Sequence, residues 1–147
     1  SGIIINVTSI AGYMGLPFRG LYSATKGALE LITEATSMEV KHFGINVVNV
    51  APGDFSTNIA AGRYHTPVFE KSAYKEAYQA NLDLMDGHVD RGMNPLEMAK
   101  AVNKIINTKN LKIHYKIGGF MEKFSIVLKR ILPDNAYQKL LMNHYKM

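Results

Sequence analysis

The chain has 147 residues, of which 47% are hydrophobic and 20% charged, a composition that fits one globular domain and argues against a disordered protein. It contains no cysteine, which excludes disulfides and thiolate metal sites and agrees with a location in the reducing cytoplasm. The formal net charge of +5 suits an anionic membrane, nucleic acid or an acidic partner, but we find no nucleic-acid motif and expect no nucleic-acid partner.

Targeting and metal signals are absent from the sequence. No segment reaches the roughly 18 consecutive apolar residues of a membrane-spanning helix. The opening Ser1-Gly2-Ile3 lacks the basic region and cleavage site of a signal peptide. The five histidines lie far apart without metal-ligand spacing, so we expect no metal site. They are His42, His65, His88, His114 and His144.

The first predicted element is a short strand rich in β-branched residues, Ile3 to Thr8. Its continuous apolar character is typical of a buried strand in a parallel sheet. Ser9 follows at the carboxyl end of this strand, where open α/β sheets bind their ligands. We therefore predict that the Ser9 hydroxyl donates a hydrogen bond to a substrate carbonyl oxygen.

A helix is predicted over residues 22 to 42, with Gly44 as its C-terminal cap. Tyr22 and Lys26 are four residues apart and project from the same face of this helix. A tyrosine phenol is a poor proton shuttle near neutrality, and a neighbouring ammonium stabilises the phenolate. The pair therefore indicates proton transfer to or from one bound ligand.

Residues 45 to 50 are predicted to form the next strand, which gives a right-handed strand-helix-strand unit with parallel strands. Pro52 and Gly53 follow this strand, and a glycine there lets the backbone approach a ligand closely. Taken singly, a Tyr-x-x-x-Lys spacing or a serine after a strand is common. Their combination in this order is much harder to explain by chance.

The stretch from Gly2 to Thr57 closely resembles the second half of the short-chain dehydrogenase/reductase family. The resemblance rests on the serine after the strand, on Tyr-x-x-x-Lys and on Pro-Gly-x-x-x-Thr. It implies an α/β fold, the C-terminal half of a doubly wound Rossmann-type parallel sheet, with about three strands and flanking helices. It also implies NAD or NADP as cofactor and hydride exchange between the nicotinamide and a carbonyl carbon.

The resemblance assigns a role to each matching residue. Ser9 would orient the substrate carbonyl, Tyr22 would be the general acid/base, and Lys26 would assist Tyr22 and hold the nicotinamide ribose. The implied cofactor-binding residues are Tyr22, Lys26, Pro52, Gly53, Phe55 and Thr57.

The family's glycine-rich phosphate-binding turn, which normally precedes these motifs, is missing from the chain. Gly12, Gly15 and Gly20 follow the strand that bears Ser9, and they more plausibly shape the loop of the active site. We therefore expect residues 1–147 to be part of an NAD(P)-binding domain. The missing N-terminal half would be its partner, the chain alone would be inactive, and the edge of the first strand would be unpaired.

Residues 58 to 94 mix aromatic and charged residues and predict one or two helices. In the family this region covers the substrate, so we interpret it as a lid, with a plain pair of surface helices as the alternative. Phe69, Tyr74 and Met85 would favour an apolar or lipid-like substrate.

Asn94 as N-cap and Pro95 at the first helical position predict another helix, and residues 112 to 117 a last short strand. Residues 120 to 147 form an amphipathic tail. Its apolar face either packs on the body or a sister subunit, or rests on an anionic membrane surface.

Three functions remain open at this point. The first is an oxidoreductase that interconverts a ketone and a secondary alcohol, working as a homo-dimer or homo-tetramer as its relatives do. The second is a non-catalytic remnant or scaffold that keeps the fold without binding cofactor. The third, which can coexist with the first, is a peripheral membrane protein that handles lipid-like ketones.

Overall fold

The computed structural model describes residues 1–59, 61–64 and 70–147. They form a three-stranded parallel sheet in the order β1-β2-β3, with helices around it, which confirms the predicted α/β fold class. The strands are β1 (Gly2–Val7), β2 (Ile45–Pro52) and β3 (His114–Ile117). The α-helices are α1 (Gly20–Glu39), α2 (Lys75–Asp90), α3 (Pro95–Ile106), α4 (Phe120–Ile131) and α5 (Asp134–His144).

Strand β2 is the centre of the sheet because it pairs with both other strands. Val47, Val48 and Val50 are at most 2% exposed, as expected for a strand that is covered on both faces. Val48 and Val50 pack with Ile105 of α3 in one hydrophobic cluster. Strand β1 lies at the edge, as the sequence predicted, and pairs only with β2 in the described part of the chain.

Helix α1 begins at Gly20 and ends at Glu39, so it starts and stops slightly before the predicted limits. A short 3-10 turn, Lys41–Phe43, follows it, and Gly44 ends that turn with a left-handed φ of 70°. The face of α1 towards the sheet is polar, with Glu30 and Thr33 buried. Its apolar residues Leu31 (67% exposed) and Met38 (71%) point outwards instead.

The predicted cap of α3 is present, because the Asn94 side chain accepts a hydrogen bond of 2.9 Å from the Leu96 amide. Strand β3 begins at His114, slightly after its predicted start. The predicted lid region contains one α-helix, α2, in its described part. Phe69, one of the lid residues that we took as a sign of an apolar substrate, lies outside the described residues.

The tail forms two helices where the sequence pattern suggested one. Pro133 separates α4 from α5, because a proline has no amide hydrogen to continue the first helix but suits the start of the second. Ile126 of α4 and Tyr137 of α5 are buried with Ile10 and Met14 in a second hydrophobic cluster. No helix in the described ranges has both the length and the apolar character to cross a membrane.

Candidate active site

Tyr22, Lys26 and the carboxyl end of β1 meet at one place. The Lys26 ammonium donates a hydrogen bond of 3.1 Å to the carbonyl oxygen of Val7, the last residue of β1. The same nitrogen lies 5.8 Å from the centre of the Tyr22 ring. Tyr22 is 44% exposed, so a ligand can reach its phenol. The helix and the strand end thus bring the predicted proton-transfer pair next to the segment that carries Ser9.

Ser9 caps a short 3-10 helix, Ile10–Tyr13, directly after β1. Its hydroxyl oxygen accepts a hydrogen bond of 3.1 Å from the Ala11 amide. A serine hydroxyl has one hydrogen to donate and two lone pairs that accept. The capping contact therefore leaves the hydrogen of Ser9 free for a substrate oxygen.

Two glycines let the Ser9 turn rest directly on α1. A Cβ atom on Gly12 would lie 3.0 Å from the backbone carbon of Lys26, and a Cβ on Gly27 would lie 3.0 Å from the Gly12 carbonyl oxygen. Side chains at these positions would push the turn away from the helix. The sequence indicated Gly12 as part of the active-site loop, but Gly27 was not recognised.

A buried polar network behind the site was also missed. The Thr8 hydroxyl lies 2.7 Å from Oδ1 of Asn49 and 3.3 Å from Oε1 of Glu30, and all three residues are buried. Burial raises the pKa of the Glu30 carboxyl, although hydrogen bonds from Tyr13, Asn49 and Thr8 oppose the shift. The network ties the residue before Ser9 to both β2 and α1.

A polar signal in the sequence could have revealed this network. Thr8 and Asn49 are polar residues at the end of one apolar strand and within the next. Glu30 lies one helical turn beyond Lys26, on the same face of α1. Buried polar groups need hydrogen-bond partners. Two polar residues near the carboxyl ends of neighbouring strands, with a third on the helix that covers them, therefore predict a shared hydrogen-bond network.

The predicted cofactor segment, Pro52 to Thr57, begins where β2 ends. The Gly53 amide donates to the Ile117 carbonyl oxygen (2.8 Å), which joins the segment to the end of β3. Further along, Phe55 forms a parallel bridge with Met93, and the Ser56 amide donates to the Met93 carbonyl oxygen (2.9 Å). Thr57 is exposed just after this bridge.

Pro52 and Gly53 thus stand at the carboxyl end of β2, beside the end of β1 and the Ser9 turn. Phe55 and Thr57 lie farther along the chain, where hydrogen bonds tie the segment to Met93 rather than to Tyr22 or Lys26.

An aromatic contact joins α2 to the loop before Tyr22. The Phe18 ring meets the rings of Tyr74 and Tyr78 edge to face, with centroids 6.2 and 5.5 Å apart. Phe18 has a φ of 57°, which is unusual for a residue other than glycine. Met85, the lid residue that the sequence analysis took as a sign of an apolar substrate, is 7% exposed and lies in the interior. The contact between α2 and the loop before Tyr22 is therefore aromatic.

Tertiary packing brings together two histidines that are far apart in sequence. The His88 and His144 rings lie 5.2 Å apart, and Nδ1 of His88 is 3.7 Å from a carboxylate oxygen of Asp54. Burial lowers the pKa of His144, and the neighbouring His88 and Arg19 lower it further. Within the described ranges no three potential ligands gather into a metal site.

The arrangement can hold one polar ligand at the carboxyl ends of the parallel strands. An ammonium and a reachable phenol lie side by side there, at the edge of the sheet where ligands of such folds bind. At the end of β2, Gly53 has no side chain, and the Glu122 carboxylate takes the space that a Cβ atom would fill. The chain holds no glycine-rich strand-turn-helix motif that would cradle the pyrophosphate.

Comparison with known proteins indicates one family. A family model described as short chain dehydrogenase matches residues 1–67. A 3-ketodihydrosphingosine reductase from Bacteroides thetaiotaomicron is 34% identical over 145 residues, which cover 98% of this chain and 54% of that protein. The short-chain dehydrogenase RED1 of Pyricularia oryzae is 33% identical over 151 residues, covering 99% of this chain and 51% of that protein. The chain therefore spans about half the length of these curated relatives.

Solved structures show the same architecture. A short-chain dehydrogenase from Streptomyces avermitilis superposes with a TM-score of 0.67 at 27% identity, covering 99% of this chain and 50% of that one. A short-chain dehydrogenase/reductase from Burkholderia phymatum, solved in complex with NAD, gives a TM-score of 0.65 at 18% identity. The match covers 93% of this chain and 48% of the Burkholderia chain. One from Burkholderia cenocepacia, solved with NADP, gives 0.52 at 20% identity, with coverages of 100% and 48%.

Proposed function

The chain belongs to the short-chain dehydrogenase/reductase family, and on that premise we propose that it is the catalytic half of an NAD(P)(H)-dependent oxidoreductase. The enzyme would interconvert a ketone and a secondary alcohol. The observation that carries this proposal is the placement of Lys26 between the Tyr22 ring and the Val7 carbonyl at the end of β1. The curated relatives are oxidoreductases by name, which supports the reaction class.

Each residue of the proposed site has a distinct task in ketone reduction. Ser9 donates a hydrogen bond to the substrate carbonyl oxygen and so orients it. Tyr22 gives its phenol proton to that oxygen, and takes a proton back when an alcohol is oxidised. Lys26 stabilises the phenolate that remains and holds the ribose of the nicotinamide. When bound, the nicotinamide supplies the hydride for reduction and accepts it in oxidation.

The cofactor would be NAD or NADP, since structural relatives have been solved with each. Lys26 and Tyr22 would contact its ribose. Pro52 and Gly53 would approach its nicotinamide side, and Phe55 and Thr57 would contact its carboxamide and phosphate groups.

The substrate would be apolar or lipid-like. The aromatic group formed by Phe18, Tyr74 and Tyr78 supports this, because it stands at the loop that leads into Tyr22. The name of the Bacteroides relative, a 3-ketodihydrosphingosine reductase, points to the same class of ketone. Residues 58–94 would form the lid over such a substrate.

The partner that completes the cofactor site would be an upstream half of the same protein. Strand β1 supports this, because Ile4 and Val7 are 44% and 48% exposed on a strand paired on only one side in the described structure. The unpaired backbone N–H and C=O groups of such an edge strand can pair with a further strand. The whole protein would assemble as a homo-dimer or homo-tetramer, for which the exposed apolar residues of α1 offer a surface.

Fluorescence titration with NADH and NADPH tests the proposal. The 147-residue chain should not bind either coenzyme. A longer polypeptide that includes the upstream half should bind one of them in a saturable way. The coenzyme with the lower Kd identifies the preference. Saturable binding by the 147 residues alone would refute the split site. Failure of both polypeptides to bind would favour the non-catalytic scaffold.

A peripheral membrane contact is a second proposal, supported by the outward face of α4. Phe120 (74% exposed), Val127 (47%) and Ile131 (67%) lie on one side of this helix, where the Phe120 ring stacks on Phe124 at 5.7 Å. Residues 120 to 147 carry five lysines and arginines against one glutamate and one aspartate. Such a helix suits the surface of an anionic bilayer. The protein would then act in the cytoplasm, at a membrane surface.

Co-sedimentation with vesicles that contain phosphatidylserine checks the membrane contact. Replacing Phe120 and Ile131 with aspartate should weaken vesicle binding by about tenfold or more, because burying each apolar side chain contributes about 1.5–3 kcal/mol. Leu96→Asp on α3, where Leu96 is 57% exposed, is the matched control and should leave binding unchanged. Equal loss in both variants, or no binding by the unmodified protein, would contradict this contact.

A further inference from the structure

The side chain of Glu122 connects three parts of the backbone. It lies in the first turn of α4. Its Oε1 accepts a hydrogen bond of 2.5 Å from the Asp54 amide, and its Oε2 accepts one of 2.5 Å from the Gly119 amide. Hydrogen bonds to a carboxylate are about twice as strong as those between neutral groups. One side chain therefore links the segment after β2 to the segment after β3.

Two glycines leave room for this carboxylate. A Cβ atom on Gly53 would collide with the carboxylate of Glu122. A Cβ on Gly118 would lie 2.7 Å from its Oε2 atom, well inside van der Waals contact. The backbones of both segments therefore close around the carboxylate, and any larger residue at either position would displace it.

The contact acts on the segment that we propose to bind the nicotinamide. Several contacts hold Pro52 to Thr57 in place. The Gly53 amide donates to Ile117 and the Asp54 amide to Glu122. The Ser56 amide donates to Met93, whose own amide donates to the Asp54 carbonyl oxygen (3.0 Å), and the Asp54 carboxylate lies 3.7 Å from Nδ1 of His88. Among these, Glu122 is the contact that holds the Asp54 amide, next to Gly53, and without it the peptide between Gly53 and Asp54 could shift while the Ile117 and Met93 contacts remain.

We infer that Glu122 is a positioning residue, which holds the Pro52–Thr57 segment in the conformation that binds the nicotinamide cofactor. This inference rests on the proposed function. The sequence showed only a glutamate near the start of a helix, where such residues commonly accept a hydrogen bond from the N-cap amide. The Gly119 contact fulfils that ordinary role. The contact with Asp54 spans 68 residues and is visible only in three dimensions.

The test compares Glu122→Gln and Glu122→Ala in the full-length protein, with Glu97→Gln as the control. Glu97 is an exposed glutamate in the first turn of α3, where it pairs with Lys100. A glutamine keeps the shape of Glu122 and can accept from one amide, but its NH₂ group cannot accept from the other. We expect the Kd and KM for the cofactor to rise about tenfold in Glu122→Gln and further in Glu122→Ala. We expect kcat at saturating cofactor to change less than about threefold.

The readouts separate positioning from a merely structural role. A structural role alone would lower the melting temperature but leave cofactor Kd unchanged well below that temperature, and this result would overturn the inference. Should Glu122→Ala fail to fold, the cofactor Kd of the isosteric Glu122→Gln variant gives the answer: a raised Kd supports positioning, and an unchanged Kd overturns it. Failure of the unmodified full-length protein to bind cofactor would instead refute the proposed function. If the unmodified protein binds cofactor and both Glu122 variants bind it with the same Kd, only the role of Glu122 is refuted.

Discussion

Replacing Tyr22 with phenylalanine in the full-length protein should lower turnover by about 100-fold or more and leave cofactor affinity nearly unchanged. The substitution removes a single oxygen, and with it the proton that the proposed mechanism transfers to the ketone oxygen. Tyr22 is 44% exposed and its ring only flanks the Lys26 ammonium, so phenylalanine should fit without disturbing α1. Steady-state kinetics at saturating cofactor, together with a cofactor titration, measures both quantities.

Tyr115→Phe is the matched control for this experiment. Tyr115 lies on β3, outside the proposed lid, and its hydroxyl accepts a hydrogen bond from the Lys112 amide, so the loss of that hydroxyl should leave turnover unchanged. Turnover of Tyr22→Phe within a few fold of the wild type would assign the proton transfer to another group. A large loss of cofactor binding in the same variant would mean that Tyr22 contributes mainly to cofactor binding rather than to proton transfer.

Lys26→Ala should weaken cofactor binding and turnover together, because two tasks depend on the same ammonium. Loss of hydrogen bonds to a charged group costs about 1.5–3 kcal/mol, which corresponds to a rise in cofactor Kd of about tenfold or more. Turnover should fall further, since the phenolate of Tyr22 also loses its neighbouring cation. The same titration and kinetics check both effects, and the ratio of the two losses separates binding from chemistry.

Two controls accompany the lysine variant. Lys104→Ala removes an exposed lysine of α3 and should behave as the wild type. Lys26→Arg keeps the charge but replaces a compact ammonium with a planar guanidinium, so it should recover only part of the activity. Normal cofactor affinity in Lys26→Ala would show that the ribose is held by other residues. Normal turnover would remove Lys26 from the mechanism.

The contrast between Lys26 and Glu122 shows which kind of site residue a sequence can reveal. Lys26 was predicted because its partner Tyr22 is one helical turn away, and helical geometry brings residues at that spacing together. Glu122 was not, because its partner Asp54 belongs to another segment, separated by a lid region, a helix and a strand. The Thr8, Asn49 and Glu30 network was missed for the same reason, since its members lie on three different elements.

Local patterns left the burial of one helix open. In the structure Leu31, Ile32 and Met38 of α1 are each more than half exposed. The buried positions of the helix are polar, because Glu30 and Thr33 find hydrogen-bond partners on β1 and in the helix itself. Hydrophobic spacing shows that a helix has an apolar face, but not which neighbour covers it.

By itself the sequence determined the α/β class, the parallel strand-helix-strand unit, the cap at Asn94 and the proximity of Tyr22 to Lys26. These features depend on neighbours within a few residues, or on strand ends that any parallel sheet must align. Only the tertiary structure decided the division of the tail at Pro133, the meeting of His88 with His144 and the contact of Glu122 with the Pro52–Thr57 segment. Those features depend on the packing of distant segments, which no local spacing encodes.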